Sequence, residues 1–104
     1  MTKAEALKHD RVRELILQSL STSYPAPVDS VVLRRHLGNF GHPITDEDLT
    51  SYIAYLEEKE LVRSVKRGAG IVLVRITAKG LDVLDGRIEE FGVGRIDENG
   101  VGLD

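Results

Sequence analysis

The stretch "SVKRGAGIVLVRIT", residues 64–77, restricts the possible folds more than any other part of the chain. Together with the preceding "LVR" it has β-branched composition on both sides of a loop of small residues, which reads as an antiparallel hairpin with a basic, glycine-flanked turn. The strand "GIVLVRI" is apolar on both faces, with Ile71 and Leu73 alternating with Val72, Val74 and Ile76. Only one of these sets can face the domain's own core, so the other needs a cover. Two candidates present themselves: a symmetric second copy of the chain, and the segment around Phe91 and Val93.

The rest of the chain is helical in pattern. In "AEALKHDRVRELILQSL", Leu7, Val12, Leu15, Ile16 and Leu20 recur at helical spacing. This predicts a first helix over about residues 3–20, with those side chains packed and Lys8, Asp10, Arg11 and Arg13 in water. Pro25 and Pro27 end it. Asp29 is a good N-cap for a second, short helix that buries Val32, Leu33 and Leu37 and is closed by "GNFG". In "GHPITDEDL", Thr45 and Asp48 stand at capping-box spacing, and Ile44 and Leu49 can form a hydrophobic staple. A third helix therefore starts at Asp46. Its buried face carries Leu49, Ile53 and Leu56, edged by Tyr52 and Tyr55, while Asp46, Glu47, Thr50, Ser51, Ala54 and Glu58 lie opposite. Thr77 caps a last short helix, "AKGLDVLD", with Leu81 and Leu84 inward and Gly86 at its end.

At 104 residues and 41% hydrophobic, the chain can build one modest core. We expect one domain over residues 1–86 and a glycine-rich, acidic, partly disordered tail over 87–104. The absence of cysteine excludes a disulfide framework and a thiolate zinc site, which fits a cytoplasmic protein. No apolar run approaches the roughly 20 residues needed to span a bilayer, so no membrane association is expected. His9, His36 and His42 are scattered without helical ligand spacing, and neither a metal nor a cofactor is expected. There is no GxSxG, P-loop or HExxH motif, so an enzyme is not expected.

Charge is distributed unevenly. The net charge is −3, yet residues 45–60 carry six acids against one base, and residues 61–80 carry five bases and no acid. The tail is again acidic. Arg63, Lys66, Arg67 and Arg75 make the hairpin basic, and Arg34, Arg35 and His36 form a second basic cluster on the second helix.

Helix, helix, turn, helix, hairpin, helix is the order of a winged helix-turn-helix domain, an α+β and mainly α fold with a three-helix core, a β-hairpin wing and a short C-terminal helix. "LVR…VRITAKGLDVL" resembles the wing and final helix of regulators with this fold, in which a Thr, Lys and Gly recur as Thr77, Lys79 and Gly80 do here. The chain is also similar to the small winged-helix proteins of Mu-like phages and prophages, regulators of the arsenic-repressor type. The matching residues are Asp10 and Arg11, Phe40, Gly41 and His42, Tyr55 and Leu56, and Asp82, Val83, Gly86, Arg87, Gly92 and Val93. The likeness runs from about residue 7 to residue 95.

The resemblance implies a transcriptional regulator that binds duplex DNA. The third helix would enter the major groove with Thr50 and Ser51 on its exposed face, while Arg34, Arg35, Arg63, Lys66, Arg67 and Arg75 meet phosphates. Small DNA-binding folds commonly pair, so a homodimer through Ile71 and Leu73 is the favoured cover for the strand. Two departures bear on this reading. Family members tend to carry Arg in the first turns of the third helix, where this chain has "TDEDLTSY". Three acids there repel phosphates unless cations offset them, although they also favour the helix dipole. Family members also tend to have Gly where Glu60 stands. A left-handed Glu60 would cost about 1 kcal/mol, so the helix is expected to end differently. The rival reading is a protein-interaction module whose acidic third helix docks on a basic phage or host protein.

Overall fold

The computed structural model describes residues 2–90, 92 and 93, and the backbone at 95, 96, 102 and 103. Helix α1 (Lys3–Ser21) opens at Thr2, whose hydroxyl accepts from the Glu5 amide. It supplies the centre of the core with Val12, Leu15, Ile16, Leu17 and Leu20. Two expectations for this helix fail: Leu7 is 41% exposed, and the Arg13 side chain is only 16% exposed. Leu7 lies one full turn before the core begins. Arg13 turns inward because Tyr55 covers it, with the guanidinium carbon 3.8 Å from the ring centroid.

Strand β1 (Val28–Asp29) precedes helix α2 (Ser30–Asn39), and Asp29 accepts from the Val32 amide as the N-cap. Leu33 and Leu37 are fully buried, but Val32 is half exposed, contrary to expectation. Helix α3 (Asp46–Glu58) has both arms of its capping box, with Thr45 Oγ1 accepting from the Asp48 amide and Asp48 accepting from the Thr45 amide. Strands β2 (Val62–Gly68) and β3 (Ile71–Ile76) form the hairpin, followed by helix α4 (Ala78–Leu84). Within α4 the deepest side chain is Val83; Leu81 and Leu84 are half-buried around it. Strands β4 (Arg95–Ile96) and β5 (Gly102–Leu103) pair as a short antiparallel ribbon.

The sheet has a third strand that the sequence pattern did not predict. β1 lies antiparallel to β3, pairing Val28 with Val74 and Asp29 with Leu73, which gives the order β1-β3-β2. Two residues after a proline are too short for any periodic signal. Ser30 Oγ prolongs the edge by accepting from the Val72 amide. Val74 and Ile76 pack on the core and Val72 is half-buried, whereas Ile71 and Leu73 occupy the outer face, opposite the 66%-exposed Val65. The architecture is that of a winged helix-turn-helix domain.

Helices α2, α3 and α4 end in the same way. In each, the third residue past the helix donates to the carbonyl five positions before it, as His42 does to Leu37, Leu61 to Leu56 and Arg87 to Asp82, and the residue before the donor adopts a left-handed conformation: Gly41, Glu60 and Gly86, at φ 84°, 64° and 78°. Glu60 thus takes the glycine geometry that was not expected of it. The contacts around it explain why it is held there. Thr77 Oγ1 donates to the Glu60 carbonyl, Lys79 Nζ to the Lys59 carbonyl, and the Thr77 amide to the Leu61 carbonyl. Gly80 allows this approach, since a Cβ there would lie 2.4 Å from the Leu61 carbonyl oxygen.

Most of the expected tail lies outside the described residues, but its first part packs on the domain. Glu90 joins Lys59 and Lys79, Arg13 donates to the Gly92 carbonyl, and Val93 is buried. The hydrogen bond to Glu90 raises the Lys59 ammonium above its ordinary pKa of 10.5, so this contact is present at neutral pH and lost only as pH rises through the shifted value. Gly92 sits against Tyr55 and Arg13, so the tail does not cover Ile71 and Leu73 at that point. Replacing Glu60 with Gly should relieve the left-handed strain and stabilise the fold by about 1 kcal/mol, which thermal unfolding would register as a rise of roughly 4–8 °C.

Candidate nucleic-acid interface

The exposed side of α3 is built from its own cap outward. The capping box holds Asp48 at the helix start, and Asp46 Oδ1 accepts from Arg34 Nη1 at 2.9 Å. Arg34 Nε also donates to the Ile44 carbonyl. Arg34 therefore ties α2 across the turn to α3, and the nearest acid of the first turn has a cation beside it. Of the other two acids of that turn, Asp48 accepts from the Thr45 amide and Glu47 has neither kind of partner among the described residues.

The far end of α3 is pinned to the hairpin. The Glu57 carboxylate accepts from both the amide and the hydroxyl of Ser64 at 3.0 Å. Between helix and hairpin lies a groove of about 180 Å³ with Leu49, Ile53, Ala54 and Val72 on its floor and Asp46, Thr50, Glu57, Ser64 and Lys66 around it. Thr50 thus faces the hairpin, while Ser51 lines a different hollow with His9, Arg13, Asp48, Tyr52 and Tyr55. In that hollow His9 Nδ1 and the Tyr52 hydroxyl share a hydrogen bond of 2.6 Å. Burial raises the Tyr52 phenol pKa, Arg13 opposes the shift, and Asp48 adds to it.

Strand alternation divides the hairpin cations. Lys66 lies on the α3 side with Ser64, whereas Arg63 and Arg75 face each other on the opposite side as directly paired residues. Arg67 is the extra residue of a bulge between Lys66 and Gly68, next to a tip in which Gly68, Ala69 and Gly70 all have positive φ. Nothing lies within 4 Å of a Cβ built at Gly68 or Gly70, so the tip stands open. Arg35 is exposed on α2.

Neither Glu57 nor the half-buried place of Arg13 nor the His9–Tyr52 contact is legible in the sequence pattern. These join residues from different elements, and no local spacing signals them. Among the described residues no group of three His, Asp or Glu is arranged to hold a metal, and no helix is long and apolar enough to cross a membrane.

Over 91 residues, covering 88% of this chain and 92% of the relative, the sequence is 33% identical to uncharacterized protein gp26 of Escherichia phage Mu. The chain belongs to the family of that phage protein. No protein-family model matches it. The fold is also that of H. salinarum RosR, with a TM-score of 0.62 at 18% identity over 75% of this chain and 69% of RosR. The RosR-S1 complex gives 0.63 at 17% identity, over 82% of this chain and 74% of that one. At this identity the likeness is one of fold.

Substituting Glu57 with Ala should remove both Ser64 contacts. We expect a loss of about 1–3 kcal/mol in denaturant unfolding and faster proteolysis within residues 62–76, because the hairpin loses its tie to α3.

Proposed function

We propose that this chain is a phage- or prophage-encoded, cytoplasmic regulator that binds duplex DNA, with the exposed side of α3 toward the major groove and the hairpin cations on phosphates. One observation carries the reading. Arg11, Arg13, Arg34, Lys59, Lys79 and Arg87 all have carboxylate partners, whereas Arg63, Lys66, Arg67 and Arg75 have none among the described residues. An acidic chain that leaves four clustered cations unpaired on one hairpin suits an anionic lattice. Arg35 on α2 and Lys3 and Lys8 on α1 are likewise without a carboxylate among the described residues, but they do not cluster as the hairpin cations do. The repulsion expected from the first turn of α3 is reduced by Arg34 beside Asp46 and by the helix start at Asp48.

Anisotropy titration against random duplex at several salt concentrations tests this. Wild type should bind with a steep salt dependence, and the Lys66→Ala, Arg67→Ala double variant should lower the slope by about 2. Absence of binding near 50 mM salt would reject the DNA reading. That outcome would favour a second reading, in which the apolar groove with Asp46 and Glu57 at its rim receives a basic segment of a phage or host protein.

The proposal includes a homodimer through Ile71 and Leu73, which are half-buried beside exposed Val65. Leu73→Glu should then sediment as a monomer, and a dimer unchanged by this substitution rules out the strand face as the interface.

A further inference from the structure

We infer that Arg63 and Arg75 form a phosphate-binding cradle at the base of the hairpin, on the face turned away from α3. The two residues are direct cross-strand partners, so their Cβ atoms stand about 4.5–5.5 Å apart, a position where like charges destabilise a sheet. The chain has 17 acids against 14 Lys and Arg, yet none of its described carboxylates pairs with either side chain. The pair is not free to separate. Val62 and Ile76, the adjacent register pair, are buried in the core, and Val74 beside Arg75 is fully buried, so the backbone under both arginines is fixed.

Above the pair is a hollow of about 390 Å³ bounded by Tyr24, Pro25, Ile76 and Thr77. Thr77 Oγ1 already donates to Glu60 and accepts from Gly80, so it serves as wall; Tyr24, 46% exposed, adds an aromatic rim. Both arginines line this hollow, and two guanidinium forks there match the oxygens of a phosphoryl group, which would convert their repulsion into charge-assisted hydrogen bonds. Lys66 begins the hairpin tip three residues beyond Arg63, about 10 Å along the strand and on the other face. The cradle is thus separate from the hairpin tip; it deepens the DNA reading, which places all four hairpin cations on phosphates, and the same chemistry could come from a small phosphorylated compound or from a backbone phosphate.

Thermal unfolding of the full chain in sodium phosphate, compared with sodium chloride at equal ionic strength, tests the cradle. Wild type should show a saturable gain, about 6–11 °C at ten times the dissociation constant, that the Arg63→Gln, Arg75→Gln double variant lacks. In chloride neither single variant should lose stability, since each removes one of two opposed like charges. No phosphate-specific gain in wild type, or the same gain in the double variant, overturns the proposal. Duplex titration with Arg75→Gln identifies the source. A salt slope lower by about 1 assigns a DNA phosphate, whereas an unchanged slope with a lost phosphate response assigns a small compound. Wild type that responds to phosphate but not to duplex rejects the DNA reading and keeps the cradle.

Discussion

The three carbonyls that close α3, those of Lys59, Glu60 and Leu61, are each taken by a group from the start of α4. This joint decides where the hairpin stands. It ties the chain entering β2 to the chain leaving β3, so both strands begin from one fixed point beside the helix end. Gly80 is small enough to let α4 press on it, and Val83 extends the contact into the core. The Thr77, Lys79 and Gly80 pattern is therefore a fastening rather than a set of binding residues. The groove, the open tip and the spacing of the hairpin from α3 all follow from it.

Charge is organised in two regimes. On the helical scaffold most cations near the core have carboxylates within reach, Arg13 with Asp10, Arg34 with Asp46, and Lys59 and Lys79 sharing Glu90, while Lys3, Lys8 and Arg35 have none among the described residues. On the hairpin the cations have none among the described residues. At physiological ionic strength fields are screened within about 8 Å, so the net charge of −3 says little about what meets the hairpin. Local sign matters more, and it is positive there and mixed along α3.

What was legible in the sequence was local. Thr45 with Asp48, Asp29 and Thr77 declare their caps within four residues, and the Gly41 and Gly86 helix ends carry their own signal. The strand alternation also divides Ile71 and Leu73 from Val72, Val74 and Ile76, although both sets are apolar. Contacts across the fold were less visible. Helical spacing makes Leu7 and Val32 look like core residues, but whether a partner stands opposite depends on the other helices. Arg13 is largely covered because Tyr55, 42 positions later, lies over it. Glu60 shows the same limit, since its left-handed backbone is held by Thr77 and the neighbouring joint, not by its own preference. The overall order of elements survives these misplacements because it rests on caps and breaks. The interface does not read as easily, since its cations look like one cluster in the sequence and are divided by the pleat.

That division makes the hairpin a two-sided blade. Lys66 looks into the groove beside α3, and Arg63 with Arg75 looks out over Tyr24 and Pro25. A partner pressed against one side leaves the other uncovered, and substitutions on the two sides can accumulate independently without disturbing the core pair of Val74 and Ile76 beneath them. An element only seven residues long on its first strand can in this way hold two different surfaces at once.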